Sequence, residues 1–249
     1  EVMEAPQRLE AITDYIINNH KRKTHAREFT AIFCTSNVKT LMKYYDLFKQ
    51  KKEAGEHNLR IGTIFSYQAN EEDADANGFI EVDVVQDAGA TYKAENKHTR
   101  EKLDDYIDDY NAMFGSNYST DDFYLYYQDI GKRVKARQLD ILLVVNMFLT
   151  GFDSKALNTI YVDKNLKYHG LIQAYSRTNR IMGQKKSQGN VVCFRNLKPA
   201  TDKAIELFAN KDAVEVITLE PYEEYTKRFS KAVESLHKIV PTVDSVNEL

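Results

Sequence analysis

Nothing in this sequence approaches the ~20 consecutive apolar residues that a membrane-crossing helix needs. The longest apolar run, residues 141–145, has the length of a strand. The basic-then-apolar layout of a secretory signal is also missing; the chain opens Glu1-Val2-Met3, as though cut from a longer protein. Cysteine is scarce. Cys34 and Cys193 each sit in a short apolar run, which predicts two buried thiols in strands rather than a disulfide. No Cys-x-x-Cys pair or Cys/His cluster prepares a metal site. The six histidines are scattered, with no Ser/His/Asp set. A phosphate-binding Gly-x-x-x-x-Gly-Lys-Ser/Thr loop is lacking too, because Gly183-Gln-Lys-Lys-Ser187 is too short and misplaced. No Asp-Glu pair follows an apolar strand to hold magnesium. Together these absences exclude a helical membrane protein, a disulfide-stapled domain, a zinc domain and a self-sufficient NTPase.

What is present is an ordinary globular composition, 43% hydrophobic and 29% charged, over 249 residues, enough for one large or two small domains. The formal net charge of −3 gives no overall push toward nucleic acid, but its distribution is uneven. Residues 140–198 hold nine Lys/Arg and three Asp, whereas residues 71–83 hold six acids and no base. A local basic patch is consistent with phosphate binding, although solvated lysine gives the same pattern.

Apolar spacing predicts a helix over 6–19, a strand over 28–35 ending in the turn-forming Thr35-Ser36-Asn37, a helix over 38–50 and a strand over 59–67. This strand–helix–strand rhythm predicts an α/β fold with a parallel sheet and covering helices. It breaks at an insert over 68–138, with an acidic loop at 71–75, an ambiguous segment at 83–89 and helices over 100–113 and 121–137. The insert is rich in tyrosine, for which helical packing is the default reading and a base-stacking platform a minor one. The rhythm resumes with strands over 139–146, 159–162 and 189–194 and a helix over 168–181. Helical segments at 204–209 and 222–239 form an extension over 201–249, after a first domain over 1–200.

Gln173, Arg177 and Arg180 are spaced i, i+4, i+7, which predicts one stripe of the 168–181 helix. No acid lies between His169 and Arg195, so the two guanidiniums need an external anion or a distant carboxylate. Arginine suits bidentate phosphate contact; a solvated helix face is the plainer alternative. The loop 146–153 leaves the carboxyl end of a buried strand, the edge at which open α/β sheets bind ligands. There Asn146 and Thr150 offer polar groups, Gly151 allows close approach of a phosphate, and Asp153 can accept from a ribose hydroxyl; a strand-ending turn explains the same residues. Thr35, Ser36 and Asn37 can hold a DNA phosphate or simply cap a helix.

Residues 144–153 resemble motif V of superfamily 2 helicases and translocases, and 173–180 resemble motif VI. The wording Leu-Thr-Gly-Phe-Asp-Ser at 149–154 and Gln-Ala-Tyr-Ser-Arg-Thr-Asn-Arg at 173–180 is most similar to the motor (R) subunit of type I restriction-modification enzymes. Residues 161–165 and 192–196 fit that family, and 31–48 resemble the strand and helix of motif IV. The match is dense over 139–197 and thinner over 29–67. The resemblance implies the second RecA-like motor domain of that subunit, in a cytoplasmic, prokaryotic restriction system. It implies ATP in a cleft shared with the subunit's first RecA-like domain, which would supply the phosphate loop and the Mg2+-binding acids. Arg177 and Arg180 would then meet the triphosphate, with Gln173 aligning the site and Asp153 and Gly151 near the nucleotide. Thr35, Ser36, Asn37, Asn146 and Thr150 would face double-stranded DNA. Methyltransferase and specificity subunits are the implied partners, no membrane is involved, and the fragment alone is expected to hold neither nucleotide nor metal. The alternatives are another superfamily 2 translocase, or a degenerate RecA-like fold used only for protein contacts.

Overall fold

The computed structural model describes residues 2–66, 94–183, 185–208 and 222–239. Its centre is a five-stranded, all-parallel sheet of order β2-β3-β1-β4-β5. The strands are β1 (Thr30–Thr35), β2 (Ile61–Thr63), β3 (Ile141–Val144), β4 (Leu157–Asp163) and β5 (Asn190–Cys193). β1, β3 and β4 are buried along their whole length, as unbroken apolar runs in a two-sided parallel sheet should be.

Side-chain alternation sorts the helices onto the two faces. Phe33 and Tyr161 point to one face, where α1 (Pro6–Lys23) and α2 (Val38–Glu53) lie. There Phe33 meets Tyr44 and Phe48, and Tyr15 of α1 packs edge-on against Phe194. Gly62 points to the other face, where a Cβ would sit 3.1 Å from Ile130 of α4 (Phe123–Lys135). Cys193 shares that face and meets Tyr175 of α5 (Tyr168–Ser176). The architecture is therefore the α/β sheet with helices on both faces that the sequence predicts.

Several boundaries differ from expectation. α1 continues to Lys23 because its buried stripe runs on through His20, a polar residue that apolar spacing overlooks. Pro6 starts it where a missing N–H costs nothing. Its end is held by the Lys23 carbonyl, which accepts from Asn158 Nδ2, Asn190 Nδ2 and Thr159 Oγ1. β2 is only Ile61–Thr63, although Ile64 and Phe65 stay buried beyond it. Cys34 is buried as expected, but Cys193 is exposed, because β5 is an edge strand and not an interior one.

Within the insert, α3 (Ala94–Phe114) and α4 cover the opposite edge of the sheet. Tyr126 Oη donates to Thr63 O at 2.6 Å, satisfying a carbonyl of the edge strand. Tyr106, Tyr110 and Tyr126 are all buried, with hydroxyls bonded to Asp46, Asp129 and Thr63 respectively. These rings are core and not a stacking platform. The acidic segment 71–75 and the ambiguous segment 83–89 fall outside the described residues. The chain forms two compact units, Glu1–Ala204 and Ile205–Leu249. α6 is Lys198–Phe208, and α7, in the second unit, is Tyr222–Ile239.

Candidate functional site

All strands being parallel, one edge of the sheet collects every carboxyl end. Residues 35–37, 145–146, 163–164 and 194–195 leave from this edge. Thr35 is fully buried, its Oγ1 3.4 Å from the carbonyls of Asn37 and Val144. Asn37 caps α2, its carboxamide oxygen accepting the Thr40 N–H at 2.8 Å, with Ser36 beside it. The capping alternative is thus realised at Asn37, and Asn37 remains partly exposed.

Lys164 is the residue of this edge that sequence reasoning missed. It is 5% exposed, and its Nζ donates to Asn146 Oδ1 at 2.6 Å. Because β1 lies between β3 and β4, this bond arches over the end of β1 and the start of α2. Beneath it, Asp163 is fully buried and receives Arg8 (2.6 and 2.9 Å), Arg195 (3.1 Å) and Tyr44 Oη (2.7 Å). Burial alone would raise the Asp163 carboxyl, but those donors outweigh it and hold it below the usual carboxylate range. A signal was available: Asp163-Lys164 directly follows an apolar run, so two charges had to be buried near a strand end.

The arginines are elsewhere. α5 runs back antiparallel to the strands, so its end arrives at the amino edge, where β4 and β5 begin. The predicted single helical stripe is corrected here. α5 ends at Ser176, Arg177 is its C-cap, and Arg180 lies beyond the helix. The physical reason is local capping. Arg177 Nε turns back to Gln173 O at 3.0 Å, and Thr178 Oγ1 donates to Tyr175 O at 3.0 Å, consuming the carbonyls a further turn would need. Gly189 then presses on Thr178: a Cβ there would lie 2.6 Å from the Thr178 carbonyl oxygen.

The loop 145–156 joins the two edges. It starts beside Lys164 at Asn146 and reaches the amino edge at Phe152 and Asp153. Arg177 Nη1 donates to Phe152 O at 2.8 Å, and Arg180 Nη2 lies 3.0 Å from Asp153 Oδ2. Lys186, 1% exposed, donates to Leu157 O at 2.7 Å and Lys155 O at 3.2 Å; burial pulls its ammonium down to about 8, with Asp153 opposing. Phe148 occupies the left-handed region at φ 65, where a non-glycine residue is strained, and is fixed by stacking on Tyr127 at 4.8 Å. Gly151, at φ 68 and with open space where a Cβ would be, is the one position of the loop that needs glycine. The Thr150 hydroxyl is buried without a partner, so it does not present itself at the surface. Gln173 is exposed on α5.

The expected residues therefore fall into two groups. Ser36, Asn37 and Asn146, with Lys164, stand at the carboxyl edge. Asp153, Arg177 and Arg180 meet at the amino edge. A groove of about 450 Å3 between α2 and α3, lined by Tyr45, Phe48, Lys49, Asp109 and Met113 among others, shares none of these residues. Among the described residues no group of three metal-ligating side chains occurs, and no helix is long and apolar enough to cross a membrane.

Comparison with known proteins matches residues 27–196 to the family described as type I restriction enzyme subunit R domain 3. The chain is 44% identical over 253 residues to the type I restriction enzyme SauCOLORF180P endonuclease subunit of Staphylococcus aureus (strain COL), covering 100% of this chain and 25% of that protein. The SsaAORF53P endonuclease subunit of Staphylococcus saprophyticus is 44% identical over 243 residues, 96% of this chain and 24% of its own length. The HindI endonuclease subunit of Haemophilus influenzae is 36% identical over 74 residues, 29% of this chain and 7% of its own. The chain thus spans about a quarter of the length of the first two relatives.

Proposed function

The chain belongs to the type I restriction enzyme subunit R domain 3 family, and from that premise we propose that it is the second RecA-like half of an ATP-driven translocase of double-stranded DNA. The observation that carries this reading is the state of Arg177. Its three nitrogens are anchored to neutral acceptors, Gln173 O, Phe152 O and Ser176 Oγ. Among the described residues it has no carboxylate partner, whereas Arg180 has one. A guanidinium fixed in place with its charge unneutralised is prepared for an anion.

On this reading ATP lies between this domain and the first RecA-like domain of the same subunit. That domain supplies the phosphate loop and the acids for Mg2+, which would neutralise charge on the phosphates. Arg177 and Arg180 stabilise charge developing on the transferred phosphoryl group. Gln173 aligns beside them, and Gly151 admits close approach of backbone to the nucleotide. Ser36, Asn37 and Asn146 at the carboxyl edge contact the DNA backbone, with Lys164 adding positive charge and Thr35 and Thr150 standing behind. Methyltransferase and specificity subunits complete the assembly, and the 249 residues alone do not turn over ATP.

The test is DNA-stimulated ATPase of the full parent subunit, assembled with its partners. Arg177→Ala and Arg180→Ala each lower turnover by roughly 10³-fold or more, with nucleotide binding and folding retained. A second reading, a RecA-like fold used only for protein contacts, draws support from the Arg180–Asp153 ion pair. Unchanged turnover in both variants would decide for that reading.

A further inference from the structure

The two arginines are held in opposite ways. Arg177 is pinned by uncharged groups at 2.8, 3.0 and 3.2 Å and keeps its full charge available. Arg180 has its charge cancelled by Asp153 at 3.0 Å, in a pair whose side chains are 57% and 56% exposed. The buried ion pairs look different: Asp163 and Asp140 are only 0% and 1% exposed and each is held by two arginines. A single solvated contact of the Arg180–Asp153 kind contributes little to folding. It is also easily displaced, because a phosphate offers a guanidinium several charged oxygens in bidentate geometry.

We propose that Asp153 is a parking carboxylate: it holds Arg180 while the site is empty and competes with the nucleotide's phosphate for it. Arg177 is the standing anion contact, and Arg180 joins only when phosphate draws it off Asp153. The backbone fits this division. Arg177 and Lys186 tie residues 152–157 to the segment after α5 through backbone carbonyls, so the frame stays fixed when the exposed pair opens. The inference rests on the proposed nucleotide site, and it gives Asp153 a role opposite to that of a sugar ligand. A carboxylate that binds the ribose strengthens nucleotide binding; one that parks the arginine weakens it.

The experiment is Asp153→Asn in the full parent subunit with its partners, read in two ways. Parking predicts that the KM for ATP falls about one and a half- to fivefold, the range expected for breaking an exposed ion pair, with a smaller effect at high salt. It also predicts, with no nucleotide present, faster modification of Arg180 by phenylglyoxal in the variant than in the wild type, followed by peptide mass spectrometry. Labelling of Arg177 stays the same in both. A KM that rises or does not move, or Arg180 labelling that does not change, overturns the parking role. Arg180→Ala run alongside separates the two levels. If it and Arg177→Ala both leave turnover intact, the nucleotide-site reading itself fails; if it alone is silent, or if it abolishes turnover while Asp153→Asn misses either expectation, only the parking role fails.

Discussion

As the pH falls below neutrality, this protein should lose stability first through His20. It lies on the inner face of α1, 0% exposed, with its ring 6.4 Å from that of Tyr161. Neither ring nitrogen has a hydrogen-bond partner. Burial holds its pKa down to about 4 from an ordinary 6.5, with Asp140 opposing and Arg27 reinforcing the shift. A folded-state pKa below the unfolded one means that the unfolded chain takes up the proton first. Stability is therefore full above pH 6.5 and is lost as the pH falls toward 4. At 1.36 kcal/mol per pH unit, the loss is about 0.8 kcal/mol at pH 6, about 2 at pH 5 and about 3 at pH 4. The assay is urea unfolding of wild type and His20→Leu between pH 7.5 and 4. His20→Leu removes the titration and also the orphaned polar atoms, so its offset at pH 7.5 carries no information. The shape of the difference does. Asp140 and Asp163, both held low by their arginines, titrate in both proteins and cancel to first order. A difference that stays flat from pH 7 to 4.5, or that grows in favour of the wild type on acidification, would refute the reasoning.

Asp163→Asn should cost about 3–5 kcal/mol by urea unfolding at neutral pH, because it strips the buried counter-charge from Arg8 and Arg195. Asp202→Asn, which opens only the exposed Lys198 pair, should change stability by less than about 1 kcal/mol in the same assay. Gly189→Ala should lose about 1–3 kcal/mol, since its Cβ has no room against the Thr178 backbone, and DNA-stimulated turnover of the parent subunit should fall with it as the neighbouring arginines shift. Lys164→Met should leave the melting temperature unchanged or raised, because a buried ammonium facing one neutral amide is no gain to folding, while weakening DNA-stimulated turnover. A lowered melting temperature with normal turnover would make Lys164 purely structural.

The strands were legible where burial is two-sided. Residues 30–35 and 141–144, and the 159–162 stretch of β4, read as strands because both faces of the sheet are covered there. Their lateral order was not legible, since no local pattern says that β1 separates β3 from β4. Helix starts were clearer than helix ends. Asn37 announces the start of α2, but the end of α5 depends on Arg177 curling back to Gln173 and on Gly189 arriving from the next strand. Arg177 and Arg180 stood out as unpaired cations, yet Arg180's partner, Asp153, belongs to another loop. Lys164 and Asp163 were passed over because charges beside a strand ordinarily point to water. Here the tight junction of three strand ends leaves them none.

The insert looks like an ornament that a minimal version of this domain could discard. The seating of Phe148 argues against that. Its ring rests on Tyr127, meets Phe152 at 4.7 Å and occupies the space a side chain on Gly131 would need, at 3.2 Å, while Lys135 lies over Phe152. Helix α4 is thus the bench on which the span from Asn146 to Asp153 is laid. Splicing residue 67 to residue 139 would keep all five strands of the described sheet and both Arg177 and Arg180. It would nonetheless strand two large aromatic rings in water and free the segment linking the two edges of the sheet. A transplant of this domain into a different protein has to carry its insert along.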